Sequence, residues 1–237
     1  MIPKQIHISW KTKDILQNDS VFIRNCIRNV VELSDWNATV YDDNDIDDYL
    51  KQQLDHRDYL LLKDRHIVEK CDVWRLIKIY NEGGLYVDID RLCNISLNDI
   101  IEDHIKVVLP TCLDHDFSQD FVCSEAGNPM LIEVLNLNLE RRFMGSTNVY
   151  FLGPQTYFHG ITKSLTGEFI ETNPSIEIFN QLRNLIERSG FMSTYRETSV
   201  YDTVLYRPSG KQIDFDHETE KRKFYSNSNI KHWTQEW

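Results

Sequence analysis

The sequence predicts a single α/β domain built on a mostly parallel sheet, and three observations predict it. Short runs alternating apolar with polar residues recur between longer runs of helical period. The 237 residues, 41% of them apolar, suffice for one sizeable core. No repeat, low-complexity stretch or Pro/Gly-rich linker divides the chain, so one domain is expected over residues 1–237.

Taken in order, Ile6, Ile8 and Trp10 alternate with polar residues and predict a first strand. Residues 20–33 read as a helix with Val21, Ile23, Ile27, Val30 and Val31 apolar, and Trp36 to Tyr41 as a second strand. Asp42, Asp43, Asn44 and Asp45 precede an apolar-periodic stretch beginning at Ile46, the composition of a helix N-terminus, where free amides suit caps and carboxylates. Residues 65–82 form the clearest helix, with Ile67, Cys71, Trp74 and Ile77 on one side. Gly83 and Gly84 end it, and a strand from Leu85 to Asp90 follows at once. Residues 106–109 and 121–124 are further strand candidates. Pro129 opens a helix through Arg141. Residues 148–153 read as another strand and 174–189 as another helix. From about residue 205 the tail is polar and aromatic with weak periodicity. The alternation of strands and helices is what places the chain in the α/β class.

Charge narrows the function. With 26 basic and 37 acidic residues the net charge is −11, which argues against nucleic-acid polymers and against a polybasic membrane anchor. A phosphorylated substrate would need something other than net charge to hold it. The N-terminal MIPKQIHISWKTKD lacks the apolar core of a signal peptide, and no window approaches 18 uninterrupted apolar residues. The five cysteines, Cys26, Cys71, Cys93, Cys112 and Cys123, are odd in number and none are spaced C-x-x-C. Free thiols in a reducing compartment, the cytoplasm, are expected.

The most informative stretch is Gly83 to Asp90. On a strand, Leu85, Val87 and Ile89 point one way, and Tyr86, Asp88 and Asp90 the other. Two unneutralised aspartates on one strand face are unfavourable, and a hard divalent cation relieves them. The alternative is a strand that stops at Val87, with both aspartates solvated in a loop. Spacing alone does not separate the two, because Asp43 and Asp45, and Asp45 and Asp47, share it. One helix earlier, Asp72 and Arg75 lie three apart on one face. They read either as an ordinary surface ion pair, which spacing alone favours, or as a charge-assisted clamp for sugar hydroxyls. Trp10 reads either as core or as a stacking platform. Asp114, Asp116 and Asp120 read as a solvated loop.

The segment from Asp72 and Arg75 through Gly83, Gly84 and Tyr86 to Asp88 and Asp90 resembles the sugar-binding region of DXD-containing glycosyltransferases of family 32. That group includes Och1-type mannosyltransferases and bacterial capsule and lipooligosaccharide enzymes, and the clostridial glucosylating toxins are more distantly similar. Ile2-Pro3-Lys4-Gln5-Ile6-His7-Ile8-Ser9-Trp10 resembles the family's opening strand, His232-Trp233 through Glu236-Trp237 its closing pattern, and Gly153-Pro154 a turn.

The resemblance implies a GT-A fold, a Rossmann-like mixed, mostly parallel sheet flanked by helices, with residues 205–237 closing the active site. It implies that Asp90 coordinates a Mn²⁺ or Mg²⁺ ion and that Asp88 contacts ribose and metal. Tyr86 and Trp10 would lie near the base, with Trp10 stacked on it, and Asp72 and Arg75 would hold the donor sugar. His232 would be a further metal or diphosphate ligand, and Trp237 would close over the leaving diphosphate. Two departures stand out: Glu236 replaces a small serine, and Gln119-Asp120 stand where relatives often carry Asn.

The implied activity is metal-dependent transfer of a hexose or N-acetylhexosamine from a nucleotide diphosphate sugar, UDP-linked in the first instance, to a glycan or lipid-linked hydroxyl with retention of configuration. Asp72, Arg75 and Asp90 are the candidate catalytic residues. A lipid-linked acceptor would bring the chain to the inner face of a membrane. The rival readings are a metal-dependent nucleotidyltransferase or phosphodiesterase using the Asp88/Asp90 pair, and a non-catalytic sugar-binding module.

Overall fold

A computed structural model describes residues 1–93, 96–111, 117–188, 192–195, 204–205 and 217–227. The first strand, β1 (Gln5–Ser9), leads into a continuous helical stretch. It comprises α1 (Val21–Ile23), a π-helical turn (Arg24–Arg28) and α2 (Asn29–Ser34). Ser20 starts it, its Oγ accepting from the Ile23 N–H. Next come β2 (Asn37–Tyr41), α3 (Asp43–Gln53), α4 (His56–Leu60), α5 (Ile67–Glu82), β3 (Gly84–Val87) and β4 (Leu92–Cys93). The second half holds α6 (Leu97–Ile100), β5 (Val107–Thr111), β6 (Phe121–Ser124), α7 (Pro129–Phe143), α8 (Thr156–Thr166), α9 (Ile176–Arg188), β7 (Met192–Tyr195), β8 (Val204–Leu205) and α10 (His217–Asn227).

Six strands form the main sheet in the order β2-β1-β3-β6-β5-β7. Every pairing is parallel except those of β6, which runs against both β3 and β5. The sheet is thus mixed and mostly parallel, as expected. β4 and β8 pair separately.

Strand alternation divides the core into two layers. Tyr86, Val107, Leu109 and Val122 face a cluster with Trp74 of α5, Val134 of α7 and Phe158 of α8. Their strand neighbours Leu85, Val87, Val108, Phe121 and Cys123 face the opposite cluster with Phe22, Ile27 and Phe224. Helices therefore cover both faces, the arrangement that buries strands on two sides.

The two glycines between α5 and β3 answer a spatial demand. Both have positive φ, +69° and +95°. A Cβ on Gly84 would stand 2.5 Å from the Gln5 carbonyl oxygen, and one on Gly83 2.7 Å from Pro3 Cδ. Only glycine lets α5 turn back and place β3 directly beside β1.

Three expectations about elements are corrected. Residues 148–153 do not form a strand. The backbone is helical there and continues through a π-helical turn, Phe151–Gln155, into α8. Asn148 explains it: its Oδ1 accepts from the Phe151 N–H at 2.9 Å and its carbonyl from the Leu152 N–H at 2.9 Å, a local cap that overrides the β propensity of Val149 to Phe151. The strand expected to reach Asp90 stops at Val87. The polar tail contains a well-formed helix, α10, whose weak periodicity reflects a single deep anchor, Phe224, stacked on Phe22 at 5.2 Å.

Candidate active site

In open α/β sheets, ligands gather where parallel strands end. Here β1 and β3 run parallel and adjacent, so Trp10 and the Asp88–Asp90 turn emerge at one edge. The Asp88 N–H bonds the Asp120 carbonyl at 2.8 Å, which continues the pairing of β3 with β6 by one step and then releases the chain into a turn.

The alternative reading of this segment is half right. The strand does stop at Val87, yet neither aspartate is a freely solvated loop residue. Their side chains are 29% and 13% exposed for Asp88 and Asp90.

Below them lies a buried charge network. Arg75 is 5% exposed and Asp72 3%, so the surface ion pair that spacing favoured is instead an interior one. The α5 helix turns both inward because this face packs under the sheet. Arg75 Nη2 lies 2.9 Å from Asp72 Oδ1, and Nη1 lies 3.3 Å from Asp88 Oδ1 and donates to the Gln119 carbonyl at 2.8 Å. Its guanidinium stacks 4.3 Å above the Tyr86 ring. Tyr86 is itself buried and donates its hydroxyl to Asp88 Oδ1 at 2.5 Å. The expected place for Tyr86 is beside a base; the observed one is a support under Arg75 and Asp88.

Electrostatics follow from this burial. Desolvation, with Asp90 and Asp120 nearby, pushes the Asp88 carboxyl up to about 6 against the pull of Arg75. Burial also raises Asp90, but Arg91 and Lys221 outweigh it and hold that carboxyl below the usual range. Asp72 is raised by burial, with Arg75 and Arg142 opposing. The Asp88/Asp90 pair is therefore split, one carboxylate hard to ionise and one easy.

Four participants join the predicted site residues, of which Gln119, Asp120 and Gly153 are singled out in the sequence without a role in the site. Asp120 is 4% exposed and paired with Arg91 at 2.6 Å, which corrects its assignment to a solvated loop. Gln119 donates from Nε2 to Asp72 Oδ1 at 3.2 Å. Gly153 packs so closely that a Cβ would lie 2.7 Å from both Asp72 Oδ2 and Gln119 Nε2. Lys221 of α10 donates to Asp90 Oδ2 at 2.6 Å. The strand at 121–124 was legible, and its reversed direction is what brings Gln119 and Asp120 beside Asp88. Nothing in the sequence pointed to Lys221.

Trp10 sits half-buried at the same edge, its ring 5.8 Å from Phe224 and 6.3 Å from Tyr225. The structure thus brings together Asp72, Arg75, Tyr86, Asp88 and Asp90, with Trp10 at the rim. His232, Trp237 and Glu236 lie outside the described residues, as do Asp114 and Asp116.

The donor set suits a hard cation. Asp88 and Asp90 supply carboxylate oxygens, and the ammonium of Lys221 on Asp90 shows that a positive charge is accepted there. Among the described residues no three His, Cys, Asp or Glu side chains converge tightly enough to hold a metal by themselves. A cation at the pair would therefore draw its remaining ligands from a bound phosphate or from beyond these residues.

Comparison with known proteins concerns the family and the fold. Residues 11–106 match the family model "Glycosyltransferase sugar-binding region containing DXD motif". Inositol phosphoceramide mannosyltransferase 3 of Schizosaccharomyces pombe (strain 972 / ATCC 24843) is 26% identical over 212 residues, 85% of this chain and 56% of that protein. Inositol phosphoceramide mannosyltransferase 1 of the same organism is 22% identical over 135 residues, 57% of this chain and 42% of that protein. The chain thus spans about half the length of the curated relatives it matches. A solved structure titled PaToxG Glycosyltransferase shares the fold with a TM-score of 0.51 at 20% identity, covering 80% of this chain and 77% of that one. No helix among the described residues is long and apolar enough to cross a membrane.

Proposed function

We propose that this chain, which carries the DXD-containing sugar-binding region of glycosyltransferases over residues 11–106, moves a hexose or N-acetylhexosamine from a nucleotide diphosphate sugar to a hydroxyl of a glycan or glycolipid. The observation that carries the reading is the stack at the end of β3. Asp88 and Asp90 stand at the rim and Arg75 and Asp72 lie directly beneath them, joined by Arg75.

Asp90 and Asp88, with His232 from the C-terminal segment, are the residues that would hold Mn²⁺ or Mg²⁺. When bound, the cation supplies charge neutralisation of the departing diphosphate. Asp72 and Arg75 hold the donor sugar, and Arg75 opposes the rise that burial imposes on the Asp72 carboxyl. As positive charge develops at the anomeric carbon, Asp72 offers a fixed carboxylate that needs no reorganisation. Trp10 takes the base on its face, which requires the Phe224 and Tyr225 rings to yield or to share that face. Trp237 closes the diphosphate end, within a single catalytic domain over 1–237 whose segment 205–237 shuts the site. Among the described residues no side chain stands out as a nucleophile, so attack by the acceptor on the face the leaving group vacates is the proposed route to retention. The names of the relatives support a sphingolipid-type acceptor at a membrane surface, and add mannose to UDP-linked glucose, galactose and N-acetylhexosamines as donor sugars to test.

A donor-hydrolysis screen tests the reading, with UDP-glucose, UDP-galactose, UDP-N-acetylglucosamine and GDP-mannose, each with Mn²⁺, Mg²⁺ or EDTA. The expected result is metal-dependent release of free sugar and nucleoside diphosphate from at least one donor. Turnover that survives EDTA overturns the metal assignment. Release of nucleoside monophosphate and sugar 1-phosphate instead, by cleavage within the diphosphate, would favour the nucleotidyltransferase or phosphodiesterase reading. An inverted anomeric linkage in the product NMR spectrum would overturn retention.

A further inference from the structure

Beyond the rim residues, the site rests on a second buried ion pair that the proposed reaction does not use. Glu69 in the first turn of α5 and Arg142 in the last turn of α7 are each 3% exposed. Arg142 Nη1 donates to Glu69 Oε2 at 2.6 Å, and Nε donates to Asn138 Oδ1 at 2.8 Å. Asn138, 1% exposed, spends its amide on the Leu152 carbonyl at 2.6 Å. Leu152 precedes Gly153, the glycine pressed against Asp72 and Gln119. An unbroken chain of contacts therefore runs from Glu69 through Arg142, Asn138 and the Leu152–Gly153 turn to Asp72.

This arrangement is a poor way to build stability. A buried ion pair loses most of its attraction to desolvation, and apolar residues of similar volume would serve at least as well. Arg142 Nη2 is moreover buried with no hydrogen-bond partner, a cost that a leucine or methionine would avoid. What apolar residues could not do is hold the Asn138 carboxamide oxygen and so orient the amide that grips the Leu152 carbonyl.

We propose that Arg142 is a positioning residue for the donor-sugar end of the site. It acts through Asn138 on the Leu152–Gly153 turn, which packs against Asp72. The inference rests on the reading of Asp72 as the residue that holds the donor sugar.

The test compares the full chain with Glu69→Leu/Arg142→Met, which swaps the pair for apolar volume and is expected to fold, and with Arg142→Lys, which keeps charge without the fork. Three quantities are read: amide hydrogen exchange over residues 151–156, UDP affinity, and kcat and KM for whichever donor the screen identifies. The double variant should exchange at least tenfold faster over 151–156 and lose about tenfold in kcat, with UDP affinity unchanged within twofold. Arg142→Lys should recover part of the kcat. Unchanged exchange over 151–156 overturns the strut. Unchanged kcat and KM overturn the positioning role, and so does a loss of UDP affinity in step with activity, the pattern of general damage. If the wild-type chain turns over no sugar nucleotide, it is the glycosyltransferase reading that fails, and the exchange measurement alone decides whether the strut exists.

Discussion

The chain contains the same Asp-x-Asp spacing in two regions with opposite fates. At the start of α3, Asp42 caps the helix and forms a reciprocal capping box with Asp45. Asp45 is held below the usual range by the Lys13 ammonium. Burial raises Asp47, but Lys70 and Tyr59 pull it below that range. At the end of β3, Asp88 instead rises to about 6, through burial first and through Asp90 and Asp120 after it. The difference teaches that spacing does not make a cation site. Around α3, free amides and lysines answer each carboxylate. Around β3, Arg91 and Lys221 answer Asp90, but desolvation and like charge leave Asp88 with a deficit that a cation is suited to fill.

The strongest way to break this contrast is Asp90→Asn. If the β3 pair holds the metal, metal-dependent turnover should fall by roughly 100-fold or more, given the several kcal/mol that a bound cation supplies. The same change at Asp45 should leave metal response untouched. Equal losses at both positions, measured by Mn²⁺ titration of initial rates, would show that net acidity and not the site is responsible.

Next is Arg75→Met, which separates a buried pairing from a surface one. Removing one partner strands Asp72 and Asp88 beneath the rim and should cost about 3–5 kcal/mol in denaturant unfolding. By contrast Asp42→Ala, the loss of a helix cap, should cost only about 1 kcal/mol. A loss at Arg75 no larger than that at the cap would mean that water reaches the network.

Stability against pH sharpens the contrast further. Asp88 binds its proton more tightly folded than unfolded, so its contribution to stability declines as pH rises from about 4 to about 6 in the metal-free chain. Asp45, held low by Lys13, has the opposite sign and contributes above the ordinary carboxylate range. Asp88→Asn should therefore flatten the decline between pH 4 and 6, as read from thermal midpoints in EDTA. Adding Mn²⁺ to the wild type should reverse the trend, because the metal binds only the ionised carboxylate. A midpoint that does not move on substitution would remove Asp88 as the group responsible.

The α3 cap was readable in the sequence because every participant is local: a polar cap, a carboxylate three residues on, and an apolar period starting at once. The α5 helix and the two glycines were readable for the same reason. The β3 site was readable only as far as its own strand. Asp72, Arg75, Asp88 and Asp90 could be named, but spacing alone favoured a surface position for the first two. Their burial depends on α7 and the π-helical turn Phe151–Gln155 packing on α5, contacts distant in sequence. Gln119 and Asp120 join the site because β6 runs backwards, and direction leaves no trace in a four-residue apolar run. Residues 148–153 show the reverse failure: a β-rich composition was overruled by one asparagine cap and by the grip of Asn138 on Leu152.

The smallest expected effect concerns Lys221, whose equivalent in the α3 region is Lys13. Both ammonium groups sit on an aspartate, at 2.6 Å from Asp90 and 2.7 Å from Asp45. Lys13 has no competitor, whereas Lys221 occupies an oxygen that a cation would want. Lys221→Ala should therefore tighten Mn²⁺ binding by about 2- to 5-fold, within the range of a partly exposed charge pair. The gain should shrink at high salt, since screening already weakens the lysine's hold. It should also be largest without nucleotide. A bound diphosphate brings negative charge of its own, which gives the lysine another partner. Calorimetric titration of Mn²⁺ into wild type and variant, with and without UDP, reads all three. Weaker Mn²⁺ binding in the variant would mean that Lys221 shapes the pair and does not compete for it. The two aspartate regions would then differ less than their environments suggest.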